Sequence, residues 1–401
     1  MQSDVIILGG GLVGLTLALA LDAHGLSSIV VDPAEPATVL APGFDGRASA
    51  IASASWAMLD AIGLGARLDG KGCPIRSIRV SDGLKPGALD FEPKAESGPL
   101  GIMFENRLLR QTLHAAATEA AHVTLLMPAR PATTDRDEHG VTVHLADGRA
   151  LRAPLLIGAE GRNSPTRQAA GIAVAQWRYE HTALIAAIAH ERPHGNIAYE
   201  IFYPEGPFAI LPLLPGDRSA LVWSVEAADA PGYLKLGPRG FAAELSAKMG
   251  DILGKLELVA PLSSYPLGFH HAARITDRRL ALVGDAAHGI HPIAGQGLNL
   301  GLRDVAALVE VLADGVRLGL DPGDAQLLKR YERWRSLDTL LIAASTDGLA
   351  RLFGIRGDAA NAVRRFGLAA VQRIAPLKDF FMAEARGEYG ERPKLLSGIL
   401  A

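Results

Sequence analysis

Cysteine occurs once, at Cys73, so the chain can form neither an internal disulfide nor a paired-thiol metal or redox site. Aromatic residues make up only 5% of the 401 residues. No apolar run approaches the ~18 residues of a membrane-spanning helix. No Lys or Arg precedes Arg47, so the basic leader of a secretory signal and the arginines of a mitochondrial presequence are both missing. The expected location is cytoplasmic, with peripheral contact on the inner face of the membrane left open. An excess of one charge is lacking too. Forty basic residues stand against 43 acidic ones, for a net charge of −3. That balance leaves no footprint for nucleic acid. What is plentiful is apolar matter, at 49%, and glycine, at 44 residues. The first supports a sizeable core and excludes wholesale disorder. The second implies tight turns and close backbone approaches.

The chain begins with a β-α-β pattern. Residues 4–8 are a short β-branched run, residues 12–24 a proline-free stretch of Leu and Ala, and residues 28–32 a second buried strand. A helix is expected over 106–121, with Asn106 as its cap. Strands are expected at 123–126, 141–145 and 149–157, with Asp147-Gly148 as a hairpin turn between the last two. Residues 176–230 change character. Aromatics concentrate there among β-formers and Pro/Gly turns, which reads as a mainly antiparallel sheet in a separate lobe. A buried strand returns at 280–284, and a long helix is expected over about 297–313. After Pro322 the pattern is helical to near the end.

Three motifs carry chemistry. Gly9-Gly10-Gly11-Leu12-Val13-Gly14 fits G-x-G-x-x-G between a strand and a helix. Gly9 permits the tight turn, Gly11 lets backbone approach a pyrophosphate at the helix N-terminus, and Gly14 lets helix and strand pack closely. Asp32 ends the second strand, where its carboxylate can accept bonds from ribose hydroxyls and disfavours an adenosine 2′-phosphate. A glycine-rich packing turn is the weaker alternative. The second motif runs Gly158-Ala159-Glu160-Gly161-Arg162-Asn163-Ser164, with Arg167 following. A carboxylate and a guanidinium at a strand end suit ribose and phosphate, and an exposed turn fits equally well. The third runs from Val283-Gly284-Asp285 through His288 and His291-Pro292 to Gly295-Gln296-Gly297-Leu298-Asn299. Asp285 can bind a sugar-like hydroxyl. Amides at the helix start can stabilise negative charge, as a reduced flavin ring carries. The H-x-x-H pair His288 and His291 lacks the further ligands a metal needs, so no metal site is expected.

Taken in this order, the three motifs resemble those of the class A flavoprotein aromatic hydroxylases. They resemble more closely the ubiquinone-biosynthesis hydroxylases of the UbiH/UbiF type. Asp45-Gly46-Arg47 matches that family's D-x-R segment and Arg107 its helix-start arginine. Segments at 193–213, 222–224 and 331–338 match as well, so the resemblance spans nearly the whole chain. It implies an α/β (α+β) fold: an FAD-binding Rossmann-like domain of glutathione-reductase type, a mixed-sheet substrate domain and C-terminal helices. The FAD-binding domain is expected in three parts, 1–75, 101–175 and 274–320. Residues 76–100 make a strand excursion to a sheet-based substrate domain at 176–273, and 321–401 form the C-terminal helices.

The resemblance also implies site residues. Gly9, Gly11, Leu12, Val13, Gly14 and Asp32 would hold the adenosine and pyrophosphate side of FAD, with Arg47 and Arg107 reaching the cofactor. Gly158, Glu160 and Gly161 would serve it from the second motif. Asp285 would bind the ribityl chain. The loop Pro292, Gly295, Gln296, Gly297, Leu298 and Asn299 would line the flavin ring. Two places depart from the family pattern. Glu160 stands where G-A-D-G is usual, and Tyr199-Glu200-Ile201-Phe202 stands where relatives often carry W-Q-R-F. Tyr199 and Phe202 are the candidates for touching substrate, although such clusters are more often core.

The implied reaction is hydroxylation of the aromatic ring of a polyprenylated phenol in ubiquinone biosynthesis. It runs through a flavin hydroperoxide, with dioxygen and with NAD(P)H as a transient reductant. The sequence names no catalytic base. A related flavoenzyme acting on a small soluble aromatic or a prenyl chain, and a non-catalytic flavoprotein scaffold, remain alternatives. A ubiquinone-biosynthesis complex is a candidate partner. Residues 360–387 intersperse Arg364, Arg365, Arg373 and Lys378 with apolar positions such as Phe366 and Phe380. That pattern suits a helix on its own domain, or an amphipathic surface for membrane contact.

Overall fold

In the computed structural model, residues 1–84, 89–93, 98–289, 296–336, 382–383 and 386–400 are described. The β-branched run Val5–Leu8 forms a fully buried strand, and the Leu/Ala stretch forms the helix Leu12–Asp22. The strand Ser28–Val31 lies parallel to the first, with Val5 opposite Ser28 and Leu155 on its two sides. Six strands make this sheet, in the order Thr276–Asp277, Leu280–Leu282, Leu155–Gly158, Val5–Leu8, Ser28–Val31 and Val123–Leu126. Helices Leu12–Asp22 and Gln296–Arg317 pack against each other in its core. Continuous apolar runs suit strands buried on both faces.

One expected strand, 149–157, is two. Ala150–Ala153 belongs to a three-stranded meander, and Leu155–Gly158 to the six-stranded sheet. Pro154 separates them, because proline has no N–H to give to a ladder. The hairpin turn at Asp147-Gly148 forms as expected, with Gly148 at φ +90°.

Among the described residues the larger sheet has nine strands. Val174–His190, Arg218–Glu226, Gly206–Leu213 and Ile197–Tyr203 run antiparallel in that spatial order. Ser77–Asp82 then joins parallel to Ile197–Tyr203, with Leu89–Phe91 at the edge. Alternation gives this sheet two unlike faces. One carries Tyr199, Ile201, Phe208, Ile210, Leu221, Trp223 and Leu184, packed under Phe241, Leu245 and Met249 of the helix Gly237–Met249. The other looks toward the six-stranded sheet.

Beyond Pro322, residues 325–336 are helical. Tyr331 is buried in the core and donates to the Leu282 carbonyl at 2.9 Å. The expected helices between 337 and 381, with most of the amphipathic stretch, lie outside the described residues.

Candidate functional site

A cavity of 640 Å³ opens between the glycine turn and the larger sheet. Gly9, Gly11, Leu12 and Val13 line one end, with Asp32 beside them. The three glycines of the turn are not equivalent. A Cβ on Gly9 would lie 2.4 Å from the Ala159 carbonyl oxygen, and one on Gly14 1.9 Å from that of Gly9. Those two glycines let strand and helix pack. A Cβ on Gly11 would meet nothing within 4 Å, so its open side faces the cavity. That is the cradle a pyrophosphate needs at a helix N-terminus.

Asp32 is fixed in place by its own turn. Its two carboxylate oxygens accept from the Gly10 and Ala34 amides at 2.7 and 2.8 Å. Each oxygen keeps a lone pair for a hydroxyl donor. Asp285 also lines the cavity, just after the strand Leu280–Leu282, in the short 3-10 turn Gly284–Ala286. Among the described residues nothing bonds its exposed carboxylate, while its backbone carbonyl accepts from His270 at 2.7 Å. Gly297 and Leu298 line the cavity from the start of the helix Gln296–Arg317. Pro292 and Gly295, with His291, lie outside the described residues, as does the side chain of Gln296.

Other expected site residues sit elsewhere. Arg47 lines the cavity and pairs with Asp45 at 2.6 Å. Burial raises the Asp45 pKa, and the bonds and charge of Arg47 outweigh that and leave it lowered. Arg107 does not reach the cavity. Its guanidinium binds Glu105 at 2.5 Å and the Pro42 carbonyl. Gly158 is a packing glycine, whose Cβ would lie 2.9 Å from Leu282. Gly161 lines the cavity in the left-handed region, at φ +77°. Glu160 reaches the wall too, but its carboxylate turns to the helix Pro165–Ala169. It accepts from the Ser164 and Thr166 hydroxyls at 2.5 and 2.6 Å. The extra methylene relative to Asp gives it that reach.

Two readings of the second and third motifs need correction. Arg167 is buried, and its fork donates to the Ala286 and Arg162 carbonyls at 2.8 Å each. It clamps two loops together and is absent from the cavity wall; of the two arginines of this motif, Arg162 lines the cavity. Asn299 is buried and absent from the wall. It accepts from the Ala52 amide at 2.9 Å and donates to the Ala50 carbonyl at 2.8 Å, which pins the strand Ala48–Ala52 against the cavity. Ala48, Ser49 and Ala50 of that strand do line it.

Neither substrate candidate reaches the wall. Tyr199 points to the helix-covered face of the larger sheet and packs in its core. Phe202 is buried near the end of the same strand. The residue this strand contributes to the cavity is Glu200, between them. Sequence reading missed it, although strict alternation with buried Tyr199 and Ile201 was the available signal.

Behind the third motif lies a buried ionic cluster. Asp304 bonds Arg335 at 2.6 Å, His288 at 2.7 Å and the Gly284 amide at 2.9 Å. Burial raises its pKa, but the His288 and Arg335 charges and their hydrogen bonds outweigh that and hold it below the ordinary carboxylate range. His288 is thus a structural histidine that braces the turn carrying Asp285. Among the described residues no group of His, Cys, Asp and Glu could hold a metal ion. Cys73 is a buried core residue, its thiol pushed up to about 11 by burial.

A mostly parallel sheet with a glycine cradle and two strand-end acids lining one cavity is the arrangement of a dinucleotide-binding protein. Residues 2–339 match the family described as FAD binding domain, and the chain belongs to that family. Its cofactor is FAD, and the cradle at Gly11 fits it, as does the Asp285 carboxylate, which no described residue bonds. The chain is 48% identical over 400 residues to ubiquinone hydroxylase UbiL of Rhodospirillum rubrum, covering 99% of this chain and 93% of the relative. It is 34% identical over 381 residues to 3-demethoxyubiquinol 3-hydroxylase of Escherichia coli, covering 94% and 96%. Its fold is that of p-nitrophenol 4-monooxygenase PnpA from Pseudomonas putida, with a TM-score of 0.79 at 18% identity, covering 97% of this chain and 99% of that one.

Proposed function

We propose that this protein is an FAD-dependent monooxygenase. It hydroxylates the ring of a polyprenylated phenol in ubiquinone biosynthesis, with NAD(P)H as transient reductant and dioxygen as co-substrate. One observation carries the reading: the glycine cradle and the apolar face of the larger sheet border the same cavity. A dinucleotide held by Asp32 and Asp285 would therefore share its cavity with a wall of Ala183, Ile185, Ala209, Leu211 and Val222. Such a wall suits an apolar ring and chain.

In this reading Asp32 accepts ribose hydroxyls, and the amides after Gly11 meet the pyrophosphate at the helix start. Arg47 and the Gly161 turn flank the cofactor, Asp285 accepts from the ribityl chain, and Gly297 and Leu298 border the flavin ring. Held there, FAD would supply the acceptor for a hydride from NAD(P)H and the means of transferring one oxygen atom of dioxygen to the ring. The chain's own task is to hold the ring in line and keep water out. We infer further that the protein works at the inner face of the membrane, where a polyprenylated phenol resides. Among the described residues no helix is long and apolar enough to cross a membrane. A complex of biosynthetic enzymes is a natural setting for handing on such a substrate.

Mass spectrometry of quinone lipids from cells lacking this gene tests the reading. The expected result is accumulation of a prenylated phenol missing one hydroxyl, cleared by complementation. An unchanged lipid profile, together with no phenol hydroxylation by the FAD-loaded protein, refutes it.

A further inference from the structure

The part of the larger sheet that lines the cavity is mostly apolar, with Ser224 and Tyr265 among its few polar residues. One row crosses it, through Val80, Glu200, Ala209, Val222 and Ile185 on successive strands. Glu200 is the one carboxylate that the described residues of this sheet contribute to the cavity. No hydrogen bond or ion pair from a described residue reaches it. A carboxylate among apolar neighbours, with no partner among the described residues, is destabilising. Charged groups held that way concentrate at functional sites. Of the other charged groups that line the cavity, Asp32, Arg47, Glu160 and Arg162 have partners, and Asp285 is assigned above to the ribityl chain. Asp82 stands on the same sheet face as Glu200, through its pairing with Phe202.

We propose that Glu200 binds the ring hydroxyl of the substrate and takes its proton as the ring is hydroxylated. This rests on the hydroxylase reading above. The phenol O–H bond breaks and an O–H bond forms on the Glu200 carboxylate. The electron pair left on the phenol oxygen moves into the ring, as a ring carbon bonds the oxygen atom delivered at the cofactor. The second oxygen atom leaves as water, its two electrons drawn from NAD(P)H. The hydrogen on the attacked carbon departs as a proton, and Glu200 returns its own proton to the phenol oxygen. Burial supports this role, because it pushes the Glu200 pKa up to about 7. A base near neutral pH is well matched to general-base catalysis.

The test compares the FAD-loaded wild type with Glu200→Gln, which keeps the shape and loses the charge. The substrate is 2-geranylphenol, and both product formed and NAD(P)H consumed are measured from pH 5.5 to 8.5. Wild-type kcat should fall on acidification through a limb near pH 7. Glu200→Gln should lose that limb and about 100-fold of kcat, with product per NAD(P)H consumed falling as well. Its FAD dissociation constant and melting transition should show an intact fold. Glu200→Asp should recover part of the rate. A Glu200→Gln enzyme with wild-type kcat, coupling and pH limb overturns the assignment. A wild type that binds FAD yet hydroxylates no phenol overturns instead the hydroxylase reading beneath it.

Discussion

Two glycines of one turn should respond in opposite ways to the same added methyl group. Gly11 is extended, at φ −77° and ψ −172°, a conformation open to alanine, and its Cβ would meet nothing. Gly11→Ala should therefore leave the apoprotein as stable as wild type or firmer by about 0.4–1 kcal/mol, through a less disordered unfolded chain. The methyl would occupy the space the pyrophosphate needs. Displacing a charged acceptor from one amide costs about 1.5–3 kcal/mol, or about 10–100-fold in FAD affinity. Gly14 lies inside the helix, where alanine gains about 1 kcal/mol in propensity. Its Cβ would lie 1.9 Å from the Gly9 carbonyl oxygen, and both partners are backbone. Overpacking of that kind costs about 3 kcal/mol or more. Gly14→Ala should thus lose stability first and FAD affinity as a consequence. Thermal melting of each apoprotein, with FAD titration followed by flavin fluorescence, separates the two effects. A Gly11→Ala protein that binds FAD within twofold of wild type would refute the cradle.

Asp304→Asn should cost about 3–5 kcal/mol at pH 7, since it leaves the buried Arg335 guanidinium without its carboxylate. Because the Asp304 pKa is held down, its stabilisation is complete above the unfolded value of about 4 and fades as pH falls below it. The gap between the two melting curves should therefore narrow on acidification below pH 4; a constant gap would contradict this. Asn299→Ala should cost about 1–3 kcal/mol, by stripping the Ala52 amide and Ala50 carbonyl of their side-chain partner. It should also weaken FAD binding, measurable in the same titration, because Ala50 lines the cavity. Glu200 has a raised pKa, so its charged form destabilises the fold above pH 7, and the cost vanishes where folded and unfolded states are both protonated. Glu200→Gln apoprotein should gain about 1–3 kcal/mol at pH 8 and almost nothing at pH 4.5, as paired denaturant melts would report; equal gains at both pH values would show that Glu200 does not titrate there.

Features with a local cause were legible in the sequence. The β-α-β unit follows from a β-branched run, a glycine turn and a Leu/Ala stretch within 31 residues. Asp32 and Asp285 were readable because each lies at a strand end, where the backbone itself aims a side chain out of the sheet. What failed depended on contacts far along the chain. Arg167 looked like a ligand for phosphate until the Ala286 carbonyl, 119 positions away, claimed its fork. Asn299 looked like a flavin neighbour, and its amide instead pins a strand 249 positions earlier. Tyr199 drew attention as an aromatic in a changed motif. Which face it takes is set by register, and register is a property of the assembled sheet.

The two-faced larger sheet places the cavity wall and the core of the lobe on interleaved residues of the same strands. Along Ile197–Tyr203, Gly206–Leu213 and Arg218–Glu226, positions such as Glu200, Ala209 and Val222 meet the cavity, while Tyr199, Phe208 and Trp223 meet the helix-capped core. A lineage can therefore exchange substrates by drifting at every second position without touching the residues that hold the lobe together. A single-residue insertion in one of these strands has the opposite effect. It would turn an aromatic core residue toward the cofactor and bury a carboxylate under a helix. Point substitution, and not length change, is the route by which this architecture can diversify its chemistry.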